Sequence, residues 1–190
     1  MTVHDIARAQ AINWAQDLIK APFVIFDTET TGIGTQDEIC QIGIISGWSG
    51  EVLMNTLVKP TIPMGAIASG INGITDELLQ DAPTFVELYP HIWGCMSGMI
   101  GVAYNFEFDD RILRQTCNKY SLTVPPFRRG DCAMKQYAKH AGEWDSYHRS
   151  YRWIKLVEAC VSHGIQIVDA HDATGDCFMT MKLIWEMSKP

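Results

Sequence analysis

The sequence predicts an α/β fold, a mixed sheet with helices packed on its faces. Three short apolar segments come first, in meander order, and strand and helix patterns alternate after them. No internal repeat, low-complexity tract or second block of elements interrupts this order.

Ala7, Ala11, Trp14 and Leu18 recur at helical spacing and predict a leading helix that ends before Ala21-Pro22. Phe23 to Phe26 is an apolar run that reaches an acid, as a buried central strand would. Ile39 to Ile45 and Val52 to Val58 read as two further strands, with Gly47 and Gly50 at the turn between them. Lys59 to Gly73 is rich in Pro, Gly and small residues, which predicts a long surface connection. Thr84 and Glu87 have capping-box spacing and open a helix that runs to about Met96. Ile100 to Ala103 and Phe127 to Asp131 complete a set of five strands. Helices are expected over Phe108 to Lys119, Cys132 to Lys139, Arg152 to His163 and Asp172 to Glu186.

The 190 residues, 47% apolar and 19% charged, suit one domain spanning 1–190, with the leading helix in 1–21 and the core in 23–185. No apolar stretch is long enough to span a membrane and the N-terminus lacks a secretory pattern, so a cytoplasmic location is expected. Six cysteines without CxxC pairs suggest neither a zinc site nor a disulfide framework. The net charge of −7 argues against a protein that coats long polynucleotides through a basic surface. Yet nine Lys or Arg stand against three acids between Arg114 and Lys155. Gly32-Ile33-Gly34 lacks the third glycine of a dinucleotide loop, and no serine-hydrolase, zincin or P-loop signature is present.

Three clusters carry chemistry. In Phe26-Asp27-Thr28-Glu29-Thr30-Thr31-Gly32, two carboxylates stand two apart at a strand end and so share a face. Their repulsion is relieved by a shared cation of the Mg²⁺ or Mn²⁺ type, although a solvated strand end has the same pattern. Asp109 follows a later strand near a helix start, where an acid also suits the helix dipole. His171 and Asp176 are five residues apart, which on one helix would put them on different faces. The histidine is therefore expected on the preceding loop, within reach of a site that Asp176 enters from the helix.

Together, Asp-x-Glu at a strand end, Asn105-x-x-Phe108-Asp109, and His171-x-x-x-x-Asp176 resemble the three sequence blocks of the DEDDh, or DnaQ-like, 3′-5′ exonuclease family. The resemblance extends to Asp37 to Gly43 and Gly73 to Leu78. It implies a ribonuclease H-like mixed five-stranded sheet with helices on both faces, and stepwise removal of nucleotides from 3′ ends. By the same resemblance, Asp27, Glu29, Asp109 and Asp176 would hold two divalent cations, Mg²⁺ or Mn²⁺. His171 would take the proton of the attacking water, a task that suits imidazole. Thr28, Thr30, Thr31 and Ile33 would meet the terminal nucleotide, Asn105 would support the site, and Phe108 would pack on a base or, alternatively, in the core. Tyr104 and Asn72 stand where many relatives have histidine, which bears on substrate positioning rather than on metal ligation.

The implied partner is a nucleic acid with a single-stranded 3′ end. DNA is preferred over RNA because the Asp-Thr-Glu-Thr-Thr-Gly block and the Gly-Ile-Thr segment are similar to proofreading and repair members. The alternatives are an RNA 3′ exonuclease and a binding module without turnover; a polymerase or repair partner is left open. Finally, Arg128, Arg129, Lys135, Lys139, Arg149, Arg152 and Lys155 alternate with Tyr137, Trp144, Tyr147, Tyr151 and Trp153. That segment reads either as a single-strand path or as a solvated face over partly buried aromatics.

Overall fold

The computed structural model describes residues 2–167 and 170–189. Its five-stranded sheet consists of β1 (Phe23–Thr30), β2 (Ile39–Ser46), β3 (Val52–Leu57), β4 (Ile100–Ala103) and β5 (Arg129–Cys132), in the order β3-β2-β1-β4-β5. The pairs β1-β2 and β2-β3 are antiparallel, while β4 runs parallel to both β1 and β5. This is the mixed five-stranded sheet that the family resemblance implied.

Helices cover both faces, and β1 shows why its apolar run is continuous. Phe23 and Ile25 join a core with α1 (Val3–Leu18), α6 (Ala133–Ala141), α7 (Leu156–Ser162) and α8 (Ala173–Met187). Val24 and Phe26 join a second core with α4 (Phe85–Met96) and α5 (Phe106–Lys119). A strand buried on both sides has no polar face, so its side chains alternate between two apolar layers. The same alternation carries on past the apolar run into the acids.

The leading helix belongs to this framework. Thr2 and Asp5 form a capping box at its start, and the Trp14 indole donates to Asp131 Oδ2 at 3.0 Å. The expected Thr84–Glu87 capping box is present on α4.

Three expectations need correction. The segment read as a long connection contains α2 (Ala66–Asn72), and α3 (Asp76–Leu79) follows it. Gly65 and Gly73 lie at the two ends of α2, and Gly73 has φ +72°, so these residues terminate a helix instead of marking loop composition. The helix expected over Arg152 to His163 begins only at Leu156, because a two-stranded hairpin, β6 (Trp144–Asp145) and β7 (Ser150–Tyr151), occupies the chain before it. At α5, helical geometry starts at Phe106, two residues earlier than predicted.

Glu38 holds the chain that leads into β2. Its carboxylate is 2% exposed and accepts from Lys119 Nζ at 2.6 Å, Tyr120 Oη at 2.9 Å, and both the amide and the hydroxyl of Thr61. These contacts hold its carboxyl below the usual range in spite of burial. Among the described residues no helix is long and apolar enough to cross a membrane. Glu38→Ala removes the buried acceptor shared by Lys119, Tyr120 and Thr61, partners that water can still reach, so urea unfolding should show a loss of roughly 1–2 kcal/mol. A loss indistinguishable from that of an exposed control such as Glu51→Ala would show that the network does not stabilise the fold.

Candidate active site

Beyond Ile25, which pairs with β2 but is the last β1 residue aligned with β4, β1 runs on past its parallel neighbour. Alternation then puts Asp27 and Glu29 on the face covered by α8, and Thr28 on the face covered by α5. Asp176, in the first turn of α8, comes down on the same face. Oxygens of Asp27, Glu29 and Asp176 lie within 4.8 Å of one another. Three hard-oxygen donors so close together form a set suited to a divalent cation.

Asp109 arrives from the opposite face; it is not one of that triplet, but its charge acts on Asp27. It is 3% exposed, and its Oδ1 accepts from both the amide (3.1 Å) and the hydroxyl (2.8 Å) of Thr28. Thr28 therefore anchors the fourth acid through one oxygen, in addition to its place on the wall of the cleft described below. Asn105 caps α5 through its backbone: its carbonyl accepts the amides of Phe108 and Asp109, while its side chain makes no capping bond.

His171 lies on the loop before α8, as its spacing from Asp176 suggested, and is exposed. It adopts φ +66°, a left-handed conformation uncommon outside glycine. Its amide donates to Asp176 Oδ1 at 3.4 Å, so the turn joins the histidine to the acid through the main chain.

The placement of α8 depends on residues that the sequence reading did not single out. The Gln41 carboxamide donates to Asp172 Oδ2 at 2.6 Å and accepts the Ala173 amide at 3.2 Å. Asp172 in turn caps α8 by accepting the amides of Thr174 and Gly175. At Gly43, a Cβ would sit 2.7 Å from the Ala173 carbonyl carbon and the Thr174 nitrogen. Only glycine lets β2 and the start of α8 approach so closely.

Electrostatically the site is under load. Burial, followed by the charges of Asp109, Asp176, Glu29 and Asp172, pushes the Asp27 carboxyl well above its ordinary range. Burial raises Glu29 to about 7, with the Asn72 side chain opposing and Asp176 and Asp172 reinforcing the shift. Asp109 and Asp176 are also raised, chiefly by burial; Thr28 opposes this at Asp109 and His171 at Asp176. A bound cation would favour the ionised forms of all four.

An apolar cleft of about 730 Å³ opens from Glu29. It is lined by Thr28, Thr30, Thr31, Ile33, Asn72 and Phe108 from the predicted set, and by Gly65, Ile67 and Ile71 from the unforeseen α2. Ile33 and Ile67 are more than four-fifths exposed, and they offer hydrocarbon without hydrogen-bonding groups. The Arg111 guanidinium lies 5.2 Å from the Phe108 ring centroid and donates to the Ile33 carbonyl, bridging two walls. Gly65 N–H donates to the Thr31 carbonyl at 2.9 Å and ties α2 to the end of β1. Asn105 does not line the cleft.

Clustered, half-buried acids beside a cleft rimmed with exposed apolar side chains suit cation-assisted chemistry on a ligand with an apolar end, and comparison with known proteins names the class. The exonuclease family model RNase_T matches residues 24–184. An uncharacterized exonuclease, CP81, of Escherichia phage 186 is 37% identical over 186 residues, which cover 95% of this chain and 93% of that one. A PolC-type DNA polymerase III from Thermotoga maritima is 39% identical over 97 residues, covering 50% of this chain but only 7% of the polymerase. Among solved structures, exonuclease X in complex with 5′ overhanging duplex DNA superposes with a TM-score of 0.67 at 24% identity, covering 87% of this chain and 90% of that one. E. coli exonuclease I in complex with a dT13 oligonucleotide superposes with a TM-score of 0.71 at 18% identity, covering 85% and 40%. The chain belongs to this exonuclease family, the DnaQ-like group its motifs resembled, and is a phosphodiester-hydrolysing nuclease by class.

A pH dependence follows from the acids. For Glu29, the folded form holds its proton up to about 7, whereas an unfolded glutamate releases it near ~4. The stability contributed by such groups is fully present below the unfolded pKa and is lost as pH rises through the folded one. In EDTA, the urea midpoint should therefore fall between about pH 4 and about pH 7, Asp27→Asn should flatten that fall, and Mg²⁺ should reverse it at the upper pH. An unchanged slope in Asp27→Asn would place its origin outside the site.

Proposed function

We propose that the chain is a metal-dependent 3′-to-5′ exonuclease that releases nucleoside monophosphates from DNA 3′ ends. It would act as a single domain over residues 1–190, in the cytoplasm, in proofreading, repair or another form of DNA processing. The observation that carries this reading is continuity: Glu29 belongs both to the carboxylate triplet and to the wall of the apolar cleft. A terminal base in the cleft would thus bring its phosphodiester to the acids.

The donor set fits the implied cations. Asp27, Glu29 and Asp176 are hard-oxygen ligands that resist ionisation without a counter-charge, and Asp109 adds a fourth carboxylate held by Thr28. These four would hold two divalent ions, Mg²⁺ or Mn²⁺. Such ions supply a lowered pKa for the attacking water and charge stabilisation at the leaving oxygen.

The remaining chemistry falls to the chain itself. His171, exposed on its turn beside Asp176, would accept the proton of the attacking water and pass it to solvent. Backbone around Thr30 and Thr31 would meet the terminal sugar, with Asn72 at the far end of α2 completing that wall. Ile33, Ile67, Ile71 and Phe108 would enclose the base by apolar contact, which tolerates any base identity. A single-stranded 3′ end leaves its terminal base free to enter this cleft. The preference for DNA is supported by the similarity of the Asp-Thr-Glu-Thr-Thr-Gly block and the Gly-Ile-Thr segment to proofreading and repair members.

Oligonucleotides labelled at the 5′ end, in DNA and RNA versions, distinguish the possibilities when incubated with Mg²⁺, Mn²⁺ or EDTA. A ladder shortening from the 3′ end, faster on DNA and absent in EDTA, is expected. His171→Ala should lower kcat by about 100-fold or more and leave Mn²⁺ affinity close to wild type, whereas Asp27→Ala should damage both. Wild-type turnover in His171→Ala would remove that residue from proton transfer, and shortening from the 5′ end would overturn the proposed polarity.

A further inference from the structure

The basic and aromatic segment between Arg128 and Lys155 does not form one continuous path. Arg128 and Arg129 stand at the start of β5, at the opposite end of the strand from α6, and Arg129 is bound to Asp131. Arg152 pairs with Glu143 and Glu158, while Tyr137 is core and bonds Ser162. What remains is a separate cleft of about 470 Å³ between the start of α6 and the β6-β7 hairpin.

The charges and rings in this cleft are sorted. Its acids are already engaged: Glu107 by Lys135, and Asp131 by Arg129 and the Trp14 indole. Lys139 and Arg149 also line it, and neither makes an ion pair among the described residues. Trp153, on its wall, is 62% exposed, while Trp144 is braced edge-on by Tyr151 and His4. The hairpin is thereby held against α1, with the His4 ring also hydrogen-bonded to the Tyr151 hydroxyl at 3.1 Å.

Position relates the cleft to the acids. It includes Cys132, at the carboxyl end of β5, and Glu107, two residues before Asp109 on α5. The Met134 amide donates to the Tyr104 carbonyl, so the start of α6 abuts the turn that delivers Asp109. Since β1, β4 and β5 are parallel, the cleft and the acid cluster open at the same, carboxyl edge of the sheet.

We propose that this cleft is a second nucleic-acid subsite, in which the single strand upstream of the scissile 3′ end runs over Lys139 and Arg149 and stacks a base on Trp153. This inference rests on the exonuclease reading. Two unengaged cations beside an exposed indole provide phosphate neutralisation and a π-face, the two contacts by which single strands are held without regard to sequence. A strand that ends in the Ile33–Phe108 slot and continues across the carboxyl edge meets them in turn. The subsite sets affinity for long strands and plays no part in bond cleavage.

The test uses full-length protein, a DNA dinucleotide, and a single strand of roughly 12 nucleotides. Binding of the longer strand is measured by anisotropy in EDTA, where no turnover occurs, and cleavage of both substrates is measured in Mg²⁺. Trp153→Ala should weaken the longer strand about tenfold, and Lys139→Ala with Arg149→Ala should reduce the slope of log affinity against log salt by about 1.4. Dinucleotide cleavage should stay at the wild-type rate in each variant, which also reports that the fold is intact. Unchanged affinity and salt slope in both variants, or an equal loss on both substrates, would overturn the subsite. If the wild-type protein cleaves neither substrate, the exonuclease reading fails, and the binding measurement still decides the cleft.

Discussion

Desolvation and mutual repulsion of the carboxylates at the end of β1 are the constraint around which the rest of this structure is arranged. Asp27, Glu29 and Asp176 come close because β1 outruns its parallel neighbour and α8 is pinned above its end. Nothing in the apolar layers favours that arrangement; each acid loses hydration and gains like-charged neighbours. Compensation comes from contacts one step removed: Thr28 on Asp109, Gln41 on the α8 cap, and the Glu38 network that holds the chain between β1 and β2. A rigid frame thus holds groups that would separate if left free, and this prepares a site for counter-charge before any ligand arrives.

Much of the frame was legible in the sequence because it depends on local patterns. The Phe23–Phe26 run named the central strand, Thr84 and Glu87 named a helix start, and the spacing of His171 from Asp176 put the histidine on a loop. What was not legible depends on partners distant in the chain. Gln41 reads as an ordinary strand residue until Asp172 is beside it, and the bond from Thr28 to Asp109 joins residues 81 apart in the chain. The α2 helix was hidden by its own boundaries: Gly65 and Gly73 look like loop composition, although Ile67 and Ile71 between them keep a helical interval. Charge runs were the least readable, since the partners of Arg129 and Arg152 become evident only in three dimensions.

The cleft and the acids differ in chemistry and are made by different elements. The acids sit on the sheet and on long helices anchored in the two cores, whereas one wall of the cleft is a helix of seven residues that buries none of its own side chains. Short helices hold their shape through tertiary contacts more than through propensity. For α2 those contacts include the Gly65 bond to the Thr31 carbonyl and the Asn72 side chain, which accepts the Ile74 amide. The proposed division of labour therefore matches a division in packing, with the acids on the core-anchored frame and substrate fit on an attached wall.

Gly43 gives this arrangement a particular vulnerability. The approach of α8 to β2 is set by an atom the residue lacks, so any other side chain at that position acts as a spacer between two parts of one centre. Such a change would leave every acid in the sequence and every motif intact. In a comparison of homologous chains it would be invisible to a search for missing catalytic residues, yet it would separate Asp176 from its companions. Retirement of the activity during descent could thus begin in the middle of β2, at a residue that touches no substrate.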